Sequence, residues 1–326
     1  MKYSFVIPAY NSENTLEKCI QSVIRQKYQD WEIYVVDDGS QDSTWEIISR
    51  FTKIDSRIKS IKQENSGPGI ARNNALKKVC GDYIVFLDAD DYIDDDYLVS
   101  VDDLIRKNSY DVVIIDNYYE KPDGTIIREE VLSKFCSLSK DELIAVQMTG
   151  KMPWGGWRKV IKRSIISEHT IEYSADPVGE EALFSFKVFY YAEKIGFLGK
   201  KVYHYVDYPT SQSKKGADDP WGMVVEKLAS FIHNEIGEDK FIREINSFAY
   251  TALAVSLYRI SVNHKFLEAL RHGHKNVSDV AKKYKCKCNK DALKSSVKFM
   301  LPFIKLRILF PIVIASKARQ YVNQIL

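Results

Sequence analysis

The sequence predicts an α/β protein: a Rossmann-like, mostly parallel sheet with flanking helices, followed by a helical C-terminal region. Three observations predict it. From Tyr3 to Ile115, short apolar runs alternate with segments of helical periodicity. The apolar runs are continuous, as in strands buried on both faces. From Trp221 onward helical periodicity dominates. The expected division is a first domain over residues 1–215, with halves near 1–115 and 116–215, and a helical, basic region over 216–326. No internal repeat is visible.

Tyr3–Pro8 reads as the first strand. Asn14–Gln26 reads as a helix: Asn14 to Glu17 has capping-box spacing, and Leu16, Ile20, Val23 and Ile24 form one apolar face. Trp31–Val36 is a strand stopped by Asp37-Asp38-Gly39-Ser40. Ser43–Phe51 is a helix, Ile58–Gln63 a weaker strand, and Gly69–Val79 a helix entered through Gly67-Pro68-Gly69. Asp82–Leu87 is a strand stopped at Asp88, Asp95–Arg106 is helical, and Asp111–Ile115 is another strand. Beyond it the pattern changes. Tyr118–Arg128 reads as a hairpin around Pro122-Asp123-Gly124, Ser139–Met148 as a helix, and Trp154–Trp157 as a loop. Glu180–Tyr191 reads as a helix and Lys201–Val206 as a strand.

Hydrophobic residues make up 45% of the 326 and aromatics 12%, enough for a core, which excludes global disorder. The formal net charge of +3 gives no reason to expect nucleic acid as a partner. It conceals an asymmetry: residues 262–326 carry +11 and the rest −8. Five scattered cysteines (Cys19, Cys80, Cys136, Cys286, Cys288) suit a reducing, cytoplasmic compartment. Cys286-Lys287-Cys288 lacks the second ligand pair of a zinc site. The first residues do not have the pattern of a secretory signal. The most apolar stretch, Phe299–Ala315, is interrupted by Pro302, Lys305, Arg307 and Pro311. It falls short of the ~18 uncharged apolar residues that a spanning helix needs.

Right-handed crossovers point the carboxyl ends of parallel strands to one side, where ligands bind. The segments past those ends are Pro8-Ala9-Tyr10-Asn11, Asp37-Asp38, Glu64-Asn65-Ser66-Gly67 and Asp88-Ala89-Asp90-Asp91. Asp88 and Asp90 at i, i+2 can share one hard cation with phosphate oxygens, or form a solvated turn. An EF-hand is excluded, because Ile93 and Val99 stand where Gly and Glu are needed. A carboxylate after the second strand can accept a nucleobase N–H or cap the helix that follows. Gly67–Arg72 can meet phosphate through backbone N–H groups and a guanidinium, although it has neither Rossmann nor Walker spacing. Glu180 and Glu181 at a helix start favour the dipole, or supply a general base.

Ile7-Pro8-Ala9-Tyr10-Asn11, Val36-Asp37-Asp38-Gly39-Ser40, Gly67 through Arg72-Asn73, Phe86 through Asp91 and Gly179-Glu180-Glu181 come in the order and approximate spacing of family 2 glycosyltransferases. The sequence resembles that family specifically over residues 1–115 and more thinly to about 215. The resemblance implies a GT-A fold and inverting transfer from a nucleotide-sugar, UDP-linked, to a glycan or lipid-linked hydroxyl, with Mn²⁺ or Mg²⁺ as cofactor. It implies that Pro8, Ala9, Tyr10 and Asp38 hold the uridine, Asp38 on the base, with Asp37 supporting the turn, and that Asn11 belongs to the nucleotide-sugar site. Arg72 would face the diphosphate or sugar, and Asn65 and Gly67 would belong to the nucleotide-sugar site. Asp88, Ala89, Asp90 and Asp91 would border the donor, Asp88 and Asp90 as the DXD acids and Asp90 as metal ligand. Glu181 stands at the family's catalytic base, one methylene longer than the usual Asp, with Glu180 the next candidate. Trp157-Arg158-Lys159 resembles a segment bordering the acceptor. Tyr203 through Ser213 resembles a strand and loop closing over the diphosphate, with His204 a third metal ligand or a structural histidine. The family's processive synthases carry membrane helices and a Gln-x-x-Arg-Trp motif; their absence indicates single addition.

Rival classes fit less well. A sugar-phosphate nucleotidyltransferase wants a Gly-rich loop with Arg and Lys where Tyr10-Asn11-Ser12-Glu13 stands. An Asp-based phosphatase wants Thr or Val in place of Asp91. A catalytically degenerate nucleotide- or glycan-binding module would keep Asp38 without needing Glu181. At the basic end, Lys282–Lys287 and Leu293–Ile325 mix cations with Phe, Leu and Ile, as helices on anionic membranes do. Pro302 and Pro311 are expected to break that stretch into short helices. The expected location is cytoplasmic, peripheral at the inner face of the cell membrane.

Overall fold

The computed structural model describes residues 1–175, 179–208, 218, 221–237, 240–284, 288, 293 and 295–325, with side chains as far as 321. The chain divides into two compact units, Met1–Leu143 with Trp154–Ser211, and Ile144–Pro153 with Gln212–Leu326.

The first unit contains β1 (Tyr3–Ala9), α1 (Leu16–Ile24), β2 (Trp31–Asp38), α2 (Thr44–Ile54), β3 (Ile58–Gln63), α3 (Pro68–Leu76), β4 (Tyr83–Phe86), β5 (Tyr92–Ile93), α4 (Tyr97–Asn108), β6 (Val112–Glu120) and β7 (Ile126–Glu130). After α5 (Lys140–Met148), whose second half lies in the other unit, come β8 (Lys159–Lys162), α6 (Arg163–Glu168), α7 (Glu180–Tyr191) and β9 (Ile195–Val206). One sheet joins these strands in the order β3-β2-β1-β4-β8-β6-β9-β5, with β7 on β6. The β3-β2-β1-β4 half is parallel. β8 enters antiparallel between β4 and β6, β9 runs parallel to β6, β5 pairs antiparallel with β9, and β7 antiparallel with β6. The sheet is therefore parallel in one half and mixed in the other.

Phe5, Ile7, Leu16, Trp31, Val35 and Val85 are in the core under the parallel half. Each such side chain contributes about 1.5–3 kcal/mol by leaving water. The register sets Ala9 beside Asp37 and Asp38 beside Gln63, so the loops after β1, β2 and β3 leave at one level.

Several expectations need correction. The Asn14–Glu17 capping box does not form: α1 starts at Leu16 with no side-chain cap. The residues before it are tied to the entry of α2 instead. The Ser12 N–H donates to Thr44 Oγ1 (2.7 Å), and the Ser43 N–H donates to Glu13 Oε2 (3.0 Å). β5, β8 and α6 were not expected, and β6 and β9 are longer than their apolar runs. β9 begins at Ile195, and a Cβ on Gly196 would strike the Tyr110 ring at 2.4 Å, so only glycine lets the strand pass there.

The second unit contains α8 (Gly222–Phe231), α9 (Ile242–Asn263), α10 (Phe266–Lys283), α11 (Ser295–Leu306) and α12 (Phe310–Ile325). Leu253, Leu257, Val277, Val297, Leu301 and Ile312 are among its core residues. Pro302 does not break the chain as expected: α11 runs through it. Its ring is exposed, and burial of Val297, Leu301 and Ile304 on the opposite side offsets the lost hydrogen bond. Pro311 is the second residue of α12, where no N–H partner is needed. No helix among the described residues is long and apolar enough to cross a membrane. Ser211-Gln212-Ser213 and Lys285-Cys286-Lys287 lie outside the described residues.

Candidate active site

The loops after β1 to β4 lie on one side of the sheet. Asn11, at φ 48°, ties the first two together: its N–H donates to Ser40 Oγ (3.0 Å) and its Oδ1 accepts the Gln41 N–H (2.8 Å). Ala9 is buried, and Tyr10 remains 38% exposed. Gly39 (φ 73°) must be glycine, since a Cβ there would meet the Asn65 backbone nitrogen at 2.8 Å.

Asp38 is buried and accepts N–H groups from Gln63 Nε2 (2.8 Å), Ser66 (2.8 Å) and Gly67 (2.9 Å). A carboxylate offers about four lone-pair sites, so one remains for a ligand. Its first task is to lock the loop after β3. Asp37 is buried beside it. Its Oδ1 accepts the Ser40 N–H (3.2 Å), while its Oδ2 has no hydrogen-bond partner and lies 3.9 Å from Lys62 Nζ.

Gly67 (φ 88°) turns the chain into α3, and Pro68 takes the first helical position. One turn on, the buried Arg72 bridges two acids. Its Nη2 donates to Asp88 Oδ1 (2.8 Å) and its Nη1 to Glu180 Oε1 (3.3 Å). The guanidinium thus joins the turn after β4 to the start of α7.

The acids past β4 differ in environment. Burial, then the charge of Asp88, pushes the Asp90 carboxyl up to about 6. Asp91 is buried, and its carboxylate accepts the Tyr203 hydroxyl (2.7 Å) and the Val206 N–H (2.9 Å). Burial and the charges of Asp90 and Asp88 hold its carboxyl well above the ordinary range. Asp91 thereby fastens β9 to the turn, with each carboxylate oxygen accepting one hydrogen bond.

At the start of α7, burial and the Glu181 charge push the Glu180 carboxyl up to about 7, against the pull of Arg72. Glu181 Oε1 accepts the Gly156 N–H (2.9 Å), and Oε2 has no hydrogen-bond partner among the described residues.

His204, read as a third metal ligand or a structural histidine, has the contacts of a structural one. Its Nδ1 meets Glu120 Oε2 and its Nε2 meets Asp94 Oδ1, both at 3.1 Å, and its ring stacks on Tyr92. Both nitrogens are used in joining β9 to its neighbours. Trp157 and Arg158 do not offer free groups to an acceptor. Trp157 is buried and stacks on Tyr203. Arg158 is buried over the Trp157 ring and donates to Glu130 (2.7 Å) and to the Tyr119 hydroxyl (2.5 Å). Sequence reasoning missed Tyr173, a buried ring beside Arg72 whose hydroxyl would clash with any Cβ on Gly156.

A divalent cation fits this donor set. Two carboxylates share the Asp88–Asp90 turn, the guanidinium answers Asp88, and Asp90 makes no ion pair among the described residues. Hard cations bind oxygen donors of this kind and complete their shell with water and phosphate. The only trio of His, Cys, Asp or Glu among the described residues that could gather round one metal is Asp218, His264 and His272, in the second unit.

Past the strand ends of the parallel half-sheet, where open α/β sheets bind their ligands, an acidic turn is joined through Arg72 to the paired glutamates of α7. Residues 4–169 match the model of glycosyl transferase family 2, and the chain belongs to that family; it is a glycosyltransferase with a GT-A fold. It is 31% identical over 222 residues to glycosyltransferase GlyA of Streptococcus pneumoniae, a match spanning 63% of this chain and 30% of GlyA. It is 26% identical to GlyG of the same organism, over 79% of this chain and 84% of GlyG. The fold resembles the crystal structure of Staphylococcus aureus TarS 1–349 in complex with UDP-GlcNAc, with a TM-score of 0.75 and 21% identity over 98% of this chain and 92% of that one.

Proposed function

We propose that the enzyme moves a hexosyl or N-acetylhexosaminyl group from a UDP-sugar to a hydroxyl of a glycan or lipid-linked acceptor, with inversion, in cell-surface polysaccharide synthesis. The observation that carries the reading is the Arg72 bridge, which sets the Asp88–Asp90 turn and the Glu180–Glu181 pair on one guanidinium. TarS, a poly(ribitol-phosphate) β-N-acetylglucosaminyltransferase with a UDP-GlcNAc complex, supports the donor class.

Tyr10 offers an exposed ring to the base, and Asp38 keeps one lone-pair site for its N–H. Arg72 faces the diphosphate. Asp90, with Asp88, would hold Mn²⁺ or Mg²⁺, which supplies Lewis-acid neutralisation of the leaving diphosphate when bound. Glu181 Oε2 takes the acceptor hydroxyl proton as that oxygen bonds to the anomeric carbon. The bond from that carbon to the phosphate oxygen breaks, and its electron pair leaves with the diphosphate. A single displacement of this kind inverts the anomeric centre.

A thermal-shift panel of UDP-, GDP- and dTDP-sugars, each with and without Mn²⁺, tests the donor. Ligand at a hundredfold its Kd adds about 2.7 kcal/mol of apparent stability. UDP-sugars with Mn²⁺ should give the largest rise in Tm. A larger shift from a GDP- or dTDP-sugar would overturn the uridine reading.

The proposed place of work is the cytoplasmic face of the membrane, with α11 and α12 against anionic lipid. What supports this is their surface. Phe299, Leu306 and Phe310 are 59%, 68% and 53% exposed. Lys298, Lys305 and Arg307 are exposed between them, and residues 292–326 contain no acid. Near-surface cations contribute about 1 kcal/mol each, and added salt screens them. Because Val297, Leu301 and Ile304 are core residues, the test uses surface substitutions and not truncation. The protein should sediment with anionic vesicles, less so in high salt. A variant combining Lys305→Glu, Leu306→Ser, Arg307→Glu and Phe310→Ser should stay in the supernatant. Equal sedimentation of the two would refute the docking surface.

A further inference from the structure

The geometry points to Lys159 as a positioning residue: acting through the Gly155–Gly156 peptide, its ammonium holds and stabilises Glu181 as the catalytic base. This rests on the reading of Glu181 given above.

Lys159 lies on β8 and is fully buried. Its Nζ donates to the carbonyl oxygens of Trp154 (2.7 Å) and Gly155 (2.8 Å). The Gly155 carbonyl and the Gly156 N–H belong to one planar peptide unit. That N–H donates to Glu181 Oε1 at 2.9 Å. The chain of contacts therefore runs from ammonium to peptide oxygen, and from the same peptide's N–H to carboxylate. Hydrogen bonds in series polarise one another, most strongly where the local dielectric is low. An ammonium at the oxygen end makes the N–H a stronger donor to the anion at the other.

Both glycines are closely packed by side chains. A Cβ on Gly155 would meet Arg158 Nη1 at 2.3 Å, and one on Gly156 would meet the Tyr173 hydroxyl at 2.3 Å. A buried ammonium is costly, and an apolar side chain of equal length would fill a strand core with less penalty. Its retention here has a reason if the charge is used. The charged groups that face Lys159 are Glu181 from α7, Arg158 from its own turn and Glu130 from β7, and the Phe189 ring lies 5.5 Å away. Burial lowers its amine to about 7, against the pull of Glu181 and Glu130.

The experiment compares wild type, Lys159→Met, Lys159→Gln and Glu181→Gln. Thermal melts verify folding, calorimetry with a UDP-sugar and Mn²⁺ gives donor affinity, and initial rates are taken across pH. Lys159→Met should lower kcat by about 10–100-fold, as misplacement of a catalytic group does, with donor affinity nearly unchanged. The acid limb of its kcat profile, taken at saturating donor and Mn²⁺, should move to higher pH, because no ammonium then backs the N–H that holds the base. Lys159→Gln, which can still donate but carries no charge, should shift the limb in the same direction. It also decides the matter if Lys159→Met does not fold. A folded variant with lower kcat and an unmoved limb would reduce Lys159 to a packing role and overturn the proposal, as would an unchanged rate. Glu181→Gln separates the two ideas. If it retains transfer, the base assignment itself fails. If it is inactive while the Lys159 variants behave as wild type, only the Lys159 proposal fails.

Discussion

Glu181→Gln should bind a UDP-sugar as wild type does and transfer it about 10²–10⁴-fold more slowly, the usual cost of losing a general base. The substitution keeps the side-chain volume, and the amide oxygen can still accept the Gly156 N–H that fixes its position. What disappears is the ability to take the acceptor proton. The neighbouring acid should respond as well. The Glu180 carboxyl is pushed up to about 7 by burial and then by the Glu181 charge. With that charge gone and Arg72 still in contact, Glu180 should titrate at lower pH. Initial-rate assays with a glycan acceptor, paired with donor calorimetry, are the measurement. Near-wild-type transfer would move the base to Glu180.

Asp90→Asn should cost on the order of 10²-fold or more in metal-assisted UDP binding, since a ligand should matter at least as much as the outer-shell groups worth 10–100-fold. The same change should leave the metal-free protein no less stable, and modestly more so. An acid held above its ordinary range destabilises the fold once ionised, and Asn removes that burden while keeping the shape. In the wild type, metal affinity should fall as pH drops through about 6, where the Asp90 carboxyl takes up its proton. Titration of UDP with and without Mn²⁺ at pH 5 and pH 7.5, alongside thermal melts of both proteins, checks each part. Metal-assisted binding that persists in a folded Asp90→Asn protein would rule out Asp90 as a ligand.

The parallel half of the sheet is legible because strands covered on both faces must be apolar throughout: Phe5-Val6-Ile7 and Ile33 through Val36 cannot be solvated on alternate residues. The same topology carries Tyr10, Asp38, Arg72 and Asp90 to one side, so their common location follows from chain order. Partners that come from distant strands are not legible. Nothing local announces that Asp38 accepts from Gln63 at the end of β3 and from Ser66 and Gly67 in the loop after it, or that His204 meets Glu120 on β6 and Asp94 just past β5. β8 escapes notice for a related reason. It is four residues long with lysine at both ends, and a buried Lys159 contradicts the pattern by which strands are found. Pro302 misleads because its local cost is outweighed by tertiary burial on the opposite side of α11.

The passage of Ile144–Pro153 into the second unit affects how this protein can be recombined with its relatives. A single crossover near residue 211 looks like a clean exchange of the helical region, yet it strands those ten residues among foreign neighbours. The chain re-enters the first unit at Trp154, where the turn beneath Glu181 begins. A chimera that transplants the helical region should therefore carry residues 144–153 with it, with both joins placed outside Trp154–Lys159. By the same logic, drift in the helical unit and drift at the turn beneath Glu181 are joined by covalent adjacency. A shortened or lengthened 144–153 segment would alter the chain's approach to Trp154, where that turn begins.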